Sequence, residues 1–292
     1  MRPIAYIDIV STRVLILGGT GFIGTSLTRE LRRNGYIVQV QGRSAVADLR
    51  VDATDASAVV SMLRRERADV IIDLLAAGVT PGTPVNESGV ALNLGFPSLL
   101  LEELSTWVEF PHLIHTGSSL TNAQGVRDEA SEYGRTKGLA SDLFRQAGQD
   151  GIGPLTLLVL HNVYGPNQPY GRLVADCIRT LSAGQPLSLR YPDRIRDFTF
   201  VEDLGEVVTR VMETPTDGFR EVDVGTGIGT TVRDIAREIA ASLKVSSSLV
   251  SAGSPSVDDP QPSVIAEVEP RRLGYCHTGT AEGIIRTIRF WA

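Results

Sequence analysis

Short apolar runs alternate with stretches of helical spacing through the first half of the chain. Arg13–Leu17 (RVLIL) predicts a buried strand, Phe22–Asn34 a helix and Ile37–Gln41 a second strand. Ala58–Arg67 has helical spacing and leads into Asp69–Leu75 (DVIIDLL), read as another apolar strand. Pro97–Trp107 predicts a helix, His112–Thr116 a strand, Tyr133–Gln149 a helix and Leu155–Leu160 a strand. A strand without polar alternation is covered on both faces, and strands that alternate with helices build a parallel sheet between two helical layers. The predicted fold class is therefore α/β: a Rossmann-like doubly wound parallel sheet, with ligands at the carboxyl ends of its strands.

The second half is less regular. Gly165–Gly171 ends the alternation, Leu173–Ala183 and Val232–Leu243 predict helices, and Phe198–Val201 and Val222–Val224 predict short strands. Ser246–Pro262 is rich in Ser, Pro and Asp and reads as a loop. The expected organisation is a sheet domain over 13–165, to which 195–227 returns, and a smaller C-terminal substrate lobe of 166–194 and 228–292. Met1–Thr12 reads as an extension before the first strand.

Composition narrows the function. The 292 residues suffice for a sizeable core, and 42% hydrophobic with 21% charged is an ordinary balance for a soluble protein. A net charge of −6 without a basic cluster gives no footprint for nucleic acid. A phosphate-bearing ligand must then be held by a local arginine or a helix N-terminus. Cys177 and Cys276 form neither a disulfide framework nor a metal motif, and His112, His115, His161 and His277 have no metal-ligand spacing. His112 and His115 flank a predicted strand and read as structural. No apolar run has the length of a membrane span, and the first dozen residues lack a secretion-signal pattern, so a cytoplasmic protein is expected.

Directly after the first strand comes Gly18-Gly19-Thr20-Gly21-Phe22-Ile23-Gly24, which satisfies both G-x-G-x-x-G and G-x-x-G-x-x-G. Between a strand and a helix this spacing lets a pyrophosphate approach the backbone and meet the helix N-terminus. Gly18, Gly21, Phe22, Ile23 and Gly24 are thus expected to hold a dinucleotide. A protein that binds NAD usually ends its second strand in a carboxylate for the ribose hydroxyls. Here that place falls on Gly42, followed by Arg43 and Ser44. A glycine leaves room for a 2′-phosphate, and a guanidinium beside a hydroxyl can bind one, which favours NADP(H), with NAD(H) possible. The competing reading of Arg43 is a solvated turn residue. Asp52, with Ala53 beside it, could bond the adenine amino group, and the small residues of Leu75-Ala76-Ala77-Gly78 would let the cofactor cross the sheet edge.

Tyr133-Gly134-Arg135-Thr136-Lys137 gives Tyr-x-x-x-Lys at the start of a helical stretch, with both side chains on one face. An ammonium beside a phenol stabilises the phenolate, so such a tyrosine can exchange protons near neutral pH. Upstream, His115-Thr116-Gly117-Ser118-Ser119 ends a predicted strand and would bring hydroxyls to the same sheet edge. Tyr-x-x-x-Lys alone is common on surfaces. The upstream serines raise its weight.

These motifs, followed by Asn162-Val163-Tyr164-Gly165-Pro166 and Arg196-Asp197-Phe198, stand in the order found in extended short-chain dehydrogenases. From Val14 to the last helix the chain resembles the NAD(P)-dependent epimerase/dehydratase family that acts on nucleotide-sugars. The resemblance implies that Ser118, Tyr133 and Lys137 are the catalytic triad, with Tyr133 the acid/base and Lys137 also on the nicotinamide ribose. It places Asn93 near the cofactor, and Ser118, Ser119, Asn162 and Arg196 on the substrate, Arg196 on a phosphate. A salt bridge from Arg196 to Asp193, Asp197 or Glu202 is the competing structural reading. The family also implies a homodimer through the helices near Pro97–Trp107 and Tyr133–Gln149, while charge and run length predict no nucleic-acid or membrane partner.

Departures from family patterns select among reactions. Members that dehydrate carry an acidic pair after the catalytic hydroxyl, where this chain has Ser119 and Leu120. Members that epimerise carbons 3 and 5 place a cysteine where Leu120 stands and a histidine near Arg172. Two enzymatic readings remain. One is an NADPH-dependent reductase of a nucleotide-linked 4-keto-6-deoxy sugar, and the other a nucleotide-sugar 4-epimerase with retained cofactor. A non-catalytic NADP(H)-binding regulatory protein is a third, opposed by the intact Ser118, Tyr133 and Lys137. Val79–Pro84, Tyr164–Arg172 and Tyr191–Arg194 are expected to shape the sugar pocket.

Overall fold

The computed structural model describes residues 11–79, 84–121, 131–253, 264–266 and 276–291. Most of the extension before the first strand, most of Val79–Pro84 and the second half of the Ser246–Pro262 segment lie outside these. The described chain divides into two compact units: residues up to Val159 with Leu204–Val222, and Leu160–Asp203 with Asp223 onward.

The first unit carries β1 (Arg13–Leu17), α1 (Phe22–Arg33), β2 (Ile37–Gly42), β3 (Leu49–Arg50), α2 (Ala56–Glu66) and β4 (Val70–Asp73). Then come α3 (Glu87–Val90), a π-helical turn (Ala91–Gly95), α4 (Phe96–Ser105), β5 (His112–Ser118) and a 3-10 turn (Ser119–Thr121). α5 (Glu132–Gln149) and β6 (Leu155–Leu160) complete the run. Val14–Leu17 and Val70–Asp73 are buried throughout, as unbroken apolar strands require. β1 pairs in parallel with β2 on one side and β4 on the other, β2 with β3, and β4 with β5. The large sheet has seven strands, its last members β6 and a strand at 219–224. This is the Rossmann-like doubly wound sheet expected. One helical layer packs Val59, Met62, Leu63, Leu100, Leu104 and Phe144 on it, each Leu worth about 2 kcal/mol in buried surface.

Helix ends follow local chemistry. Asp55 accepts a bond from the Ala58 N–H and Ser131 from the Gly134 N–H, which caps α2 and α5. α1 begins at Gly21 with no side-chain cap and no acid in its first turn. His112 and His115 do not flank β5. His112 opens the strand and His115 lies within it, and the strand runs two residues past the predicted end, to Ser118.

The second unit begins in the continuing chain with β7 (Asn162–Tyr164), α6 (Leu173–Ser182), β8 (Leu187–Leu189) and β9 (Ile195–Phe200). The chain then returns to the first unit through α7 (Asp203–Glu213) and most of β10 (Phe219–Val224). α7 has a legible pattern, with Leu204, Val207, Val208, Val211 and Met212 all buried, that the strand-by-strand reading passed over. β11 (Gly229–Thr231), α8 (Val232–Leu243), β12 (Val250–Ala252) and α9 (Thr280–Trp291) follow. β9 lies between β7 and β11 in a small sheet of its own, and β12 pairs in parallel with β8. The expected loop at Ser246–Pro262 thus contains a 3-10 turn (Ser247–Leu249) and β12, since Leu249 and Val250 pack against the apolar cluster of this unit. Among the described residues no helix is long and apolar enough to cross a membrane, and no group of three His, Cys, Asp or Glu is placed to hold a metal ion.

Candidate active site in the first unit

The glycine turn joins β1 to α1. A Cβ at Gly24 would lie 2.5 Å from Gly19 Cα, so the helix can sit this close to the loop only with glycine at 24. The loop is tied to the neighbouring strand by Gln41, a residue that motif reading missed. Its side-chain oxygen accepts from the Gly18 N–H at 2.9 Å, and its amide donates to the Val51 carbonyl at 2.6 Å. The uncapped N–H groups at the start of α1 remain a ready acceptor-binding end.

Gly42 closes β2 against the Thr20 side chain: a Cβ there would lie 2.6 Å from Thr20 Oγ1, so a larger residue would require Thr20 to move. Arg43 and Ser44 follow and are exposed. Asp52 Oδ1 accepts from Thr54 N–H and Oγ1, which holds its carboxyl below the usual range; Ala53 beside it is buried.

Beyond β4, Leu75, Ala76 and Ala77 run along the carboxyl edge of the sheet. The Leu75 side chain faces Gly18, and Ala77 is clamped by Asn93: the Asn93 oxygen accepts from Ala77 N–H at 2.8 Å, and its amide donates to Ala77 O and to Thr136 Oγ1, each at 3.0 Å. Asn93 is fully buried in the π-helical turn. It couples the β4 edge to the residue before Lys137.

α5 packs against β5 and the 3-10 turn after it, which brings the helix of Tyr133 and Lys137 onto the strand that ends in Ser118. Ser118 and Ser119 are buried, and Ser118 Oγ accepts from Leu120 N–H at 3.3 Å. Tyr133 is half-buried and stands one helical turn before Lys137. Lys137 is buried, its ammonium 3.3 Å from His115 Nε2. Burial lowers the Lys137 pKa to about 8, while the Asp73 carboxylate pulls it upward. His115 Nδ1 lies 2.8 Å from Asp73 Oδ2. Burial, with the Lys137 charge adding to it, lowers the His115 pKa to about 4. Sequence reading passed over Asp73, although an acid inside an otherwise apolar strand was the available signal.

A family model described as "NAD dependent epimerase/dehydratase family" matches residues 14–225. The chain belongs to this family. Its members are NAD(P)-dependent enzymes, and the NAD dependent epimerase/dehydratase chain described here is accordingly an oxidoreductase or epimerase. It is 28% identical over 249 residues, 76% of each chain, to a dTDP-6-deoxy-L-talose 4-dehydrogenase (NAD(P)+) of Kitasatospora kifunensis. It is 24% identical to a dTDP-L-rhamnose 4-epimerase of Burkholderia thailandensis, over 78% of this chain and 80% of that one. A Thermus thermophilus UDP-glucose 4-epimerase, solved with NAD, has the same fold, with a TM-score of 0.79 at 23% identity over 96% of this chain and 99% of that chain.

The residues of the first unit fit the family's cofactor. The turn admits only glycine at 24, the helix end above it lacks its own cap, and small residues line the adjoining edge. Asn162 and Arg196 belong to the second unit. Asn162 is exposed on β7 and donates to the Asp197 carbonyl at 3.4 Å. Arg196 is buried on β9 and donates to the Ile195 carbonyl at 2.7 Å. Of the nearby acids, Asp193 pairs with Arg233, Glu202 with Arg286, and Asp197 accepts from Thr226, Gly227 and Ala266.

Proposed function

We propose that this protein is an NADPH-dependent reductase of a nucleotide-linked 4-keto-6-deoxy sugar. The observation that carries the reading is Lys137: a buried ammonium, one turn from Tyr133, on the helix that packs against the strand of Ser118. When bound, NADPH supplies the hydride for the C4 ketone. Tyr133 delivers the proton to the ketone oxygen, Ser118 donates a hydrogen bond to it, and Ser119 supports the sugar. Lys137 makes the phenol a stronger acid and holds the nicotinamide ribose. Gly18, Gly21, Phe22, Ile23 and Gly24 cradle the pyrophosphate, Asp52 and Ala53 face the adenine, and Leu75, Ala76 and Ala77 flank the middle of the cofactor. Arg43 and Ser44 take the 2′-phosphate, which Gly42 leaves unopposed by a carboxylate. Asn93 acts through Ala77 and Thr136. Asn162 and Arg196 bind the nucleotide-sugar, Arg196 at a phosphate.

The K. kifunensis relative supports this reading, since a 4-dehydrogenase using NAD(P)+ catalyses the reverse of a C4 reduction. Ser119 and Leu120 do not supply the acidic pair of a dehydratase, nor do Leu120 and Arg172 supply the cysteine and histidine of a 3,5-epimerase. Leu139 and Leu143, exposed on α5, support a homodimer through α4 and α5. Dissociable NADPH needs a compartment that regenerates it, so a cytoplasmic location is part of the proposal. The second reading, a 4-epimerase with retained NAD(P), is favoured by the B. thailandensis relative.

The test is to titrate NADPH and NADH separately, then assay NADPH consumption with a panel of 4-keto nucleotide-sugars. Tighter NADPH binding and stoichiometric consumption with one of them are expected. Redox-neutral interconversion of two sugars with tightly held NAD would select the epimerase instead.

A further inference from the structure

Behind the catalytic face of α5 lies a buried chain of three groups from three elements. Asp73 closes β4, His115 lies in β5 and Lys137 in α5; the first two are fully buried and Lys137 is 1% exposed. Asp73 Oδ2 is 2.8 Å from His115 Nδ1, and His115 Nε2 is 3.3 Å from Lys137 Nζ. A carboxylate can only accept, so the ring carries its proton on Nδ1 and turns the Nε2 lone pair toward the ammonium. The opposite tautomer would point an N–H at a charged donor.

Each member is held in place. The second Asp73 oxygen accepts from the Leu75 N–H at 3.0 Å, and the Asp73 carbonyl accepts from Thr116 Oγ1 at 2.9 Å. The His115 ring stacks on Phe144 with centroids 4.5 Å apart and an interplanar angle of 17°. Ser141 Oγ bonds back to the Lys137 carbonyl at 3.0 Å. Around Lys137 the titratable groups among the described residues are Asp73 from β4, His115 from β5 and Tyr133 on its own helix. The π-helical turn contributes only the neutral Asn93, bonded to Thr136.

We propose that His115, fixed as the Nδ1–H tautomer by Asp73, is the positioning residue of Lys137: it keeps the buried side chain an ammonium and sets its direction beneath Tyr133. The electrostatics agree. Burial lowers the Lys137 pKa to about 8, still above neutrality, and the Asp73 carboxylate opposes that fall. His115, lowered to about 4, remains a neutral acceptor at every working pH. The neutral ring lies between the Asp73 carboxylate and the Lys137 ammonium, so one negative and one positive charge share the interior with an uncharged group bonded to both. The inference rests on the proposed roles of Tyr133 and Lys137 in catalysis, but its measurement does not.

Nitrogen-15 NMR of the histidine rings in the cofactor-free protein, between pH 5.5 and 8.5, reads the tautomer directly. His115 is expected as Nδ1–H without titrating. An Nε2–H or charged ring would overturn the proposal, whether or not any variant folds. The Lys137 titration, followed at Cε by carbon-13 NMR, is then compared in His115→Phe, His115→Gln and Asp73→Asn. Phenylalanine keeps the stack on Phe144 and removes the acceptor, and the midpoint is expected to fall by about one pH unit, a tenfold change in proton affinity. Asp73→Asn should move it in the same direction, and glutamine, which restores an acceptor, should recover part of the shift. A purely structural histidine would lower the melting temperature and leave the midpoint where it was, which contradicts the proposal. Full activity in Tyr133→Phe would instead remove the catalytic reading and leave the midpoint shift intact.

Discussion

Asp73 in the first unit and Asp197 in the second are both fully buried carboxylates on sheet strands, and their surroundings differ in kind. Asp197 is saturated: it accepts from Thr226 N–H and Oγ1, from Gly227 N–H at 2.8 Å and from Ala266 N–H at 3.1 Å. Those bonds fasten the turn before β11 and the short described stretch at 264–266 to β9. Asp73 accepts from one backbone N–H and spends its other oxygen on an imidazole that hands the interaction on to a lysine. A buried acid whose partners are all backbone or hydroxyl serves architecture. A buried acid at the root of a chain of titratable groups also biases the charge of the groups beyond it.

Variants sharpen that contrast. The largest effect is expected at the end of the Asp73 chain, where Tyr133→Phe should lower kcat by roughly a thousandfold, the scale of general acid catalysis, with NADPH affinity little changed in a fluorescence titration. Asp197→Ala should act on stability instead. It leaves several buried donors without an acceptor, and urea unfolding should report a loss of about 3 kcal/mol. Acid separates the two sites again. His112 and His115 are both lowered to about 4 by burial, so the unfolded chain binds more protons than the folded one between pH 6.5 and about 4. Stability is complete above about pH 6.5 and falls as pH drops through that window, by on the order of 3 kcal/mol for each histidine. Melting curves at stepped pH should show this, and His115→Phe should flatten part of the slope. The smallest effect is Arg43→Ala, which should weaken NADPH about tenfold and leave NADH unchanged, as loss of one exposed charge-assisted contact implies.

The sheet was legible because its strands are unbroken apolar runs set between helices, and the glycine turn because strand, spacing and helix coincide. Tyr-x-x-x-Lys could be placed on one face of α5 from spacing alone. What supports these motifs was not legible. Gln41 reaches the glycine turn only because β2 pairs with β1. Asp73, His115 and Lys137 meet only because β4, β5 and α5 stack, and no local pattern encodes a contact between residues so far apart in the chain. The π-helical turn that buries Asn93 has no sequence signature at all. The approach of the Thr20 side chain to Gly42 is likewise a contact that sequence spacing does not contain. The second unit was harder throughout: β7, β8, β11 and β12 are three residues each, too short for a period to register.

Transfer of hydride to a sugar ketone, with Tyr133 as the acid, can be followed atom by atom through isotope labelling. The protein is incubated with NADPH deuterated at nicotinamide C4, on each face in turn, and with the accepted 4-keto nucleotide-sugar, and the product is examined by mass spectrometry and NMR. One deuterium should appear at sugar C4 per NADPH consumed, from one face only, and roughly a thousandfold more slowly with Tyr133→Phe. Interconversion of C4 epimers without deuterium uptake or net NADPH loss would contradict it.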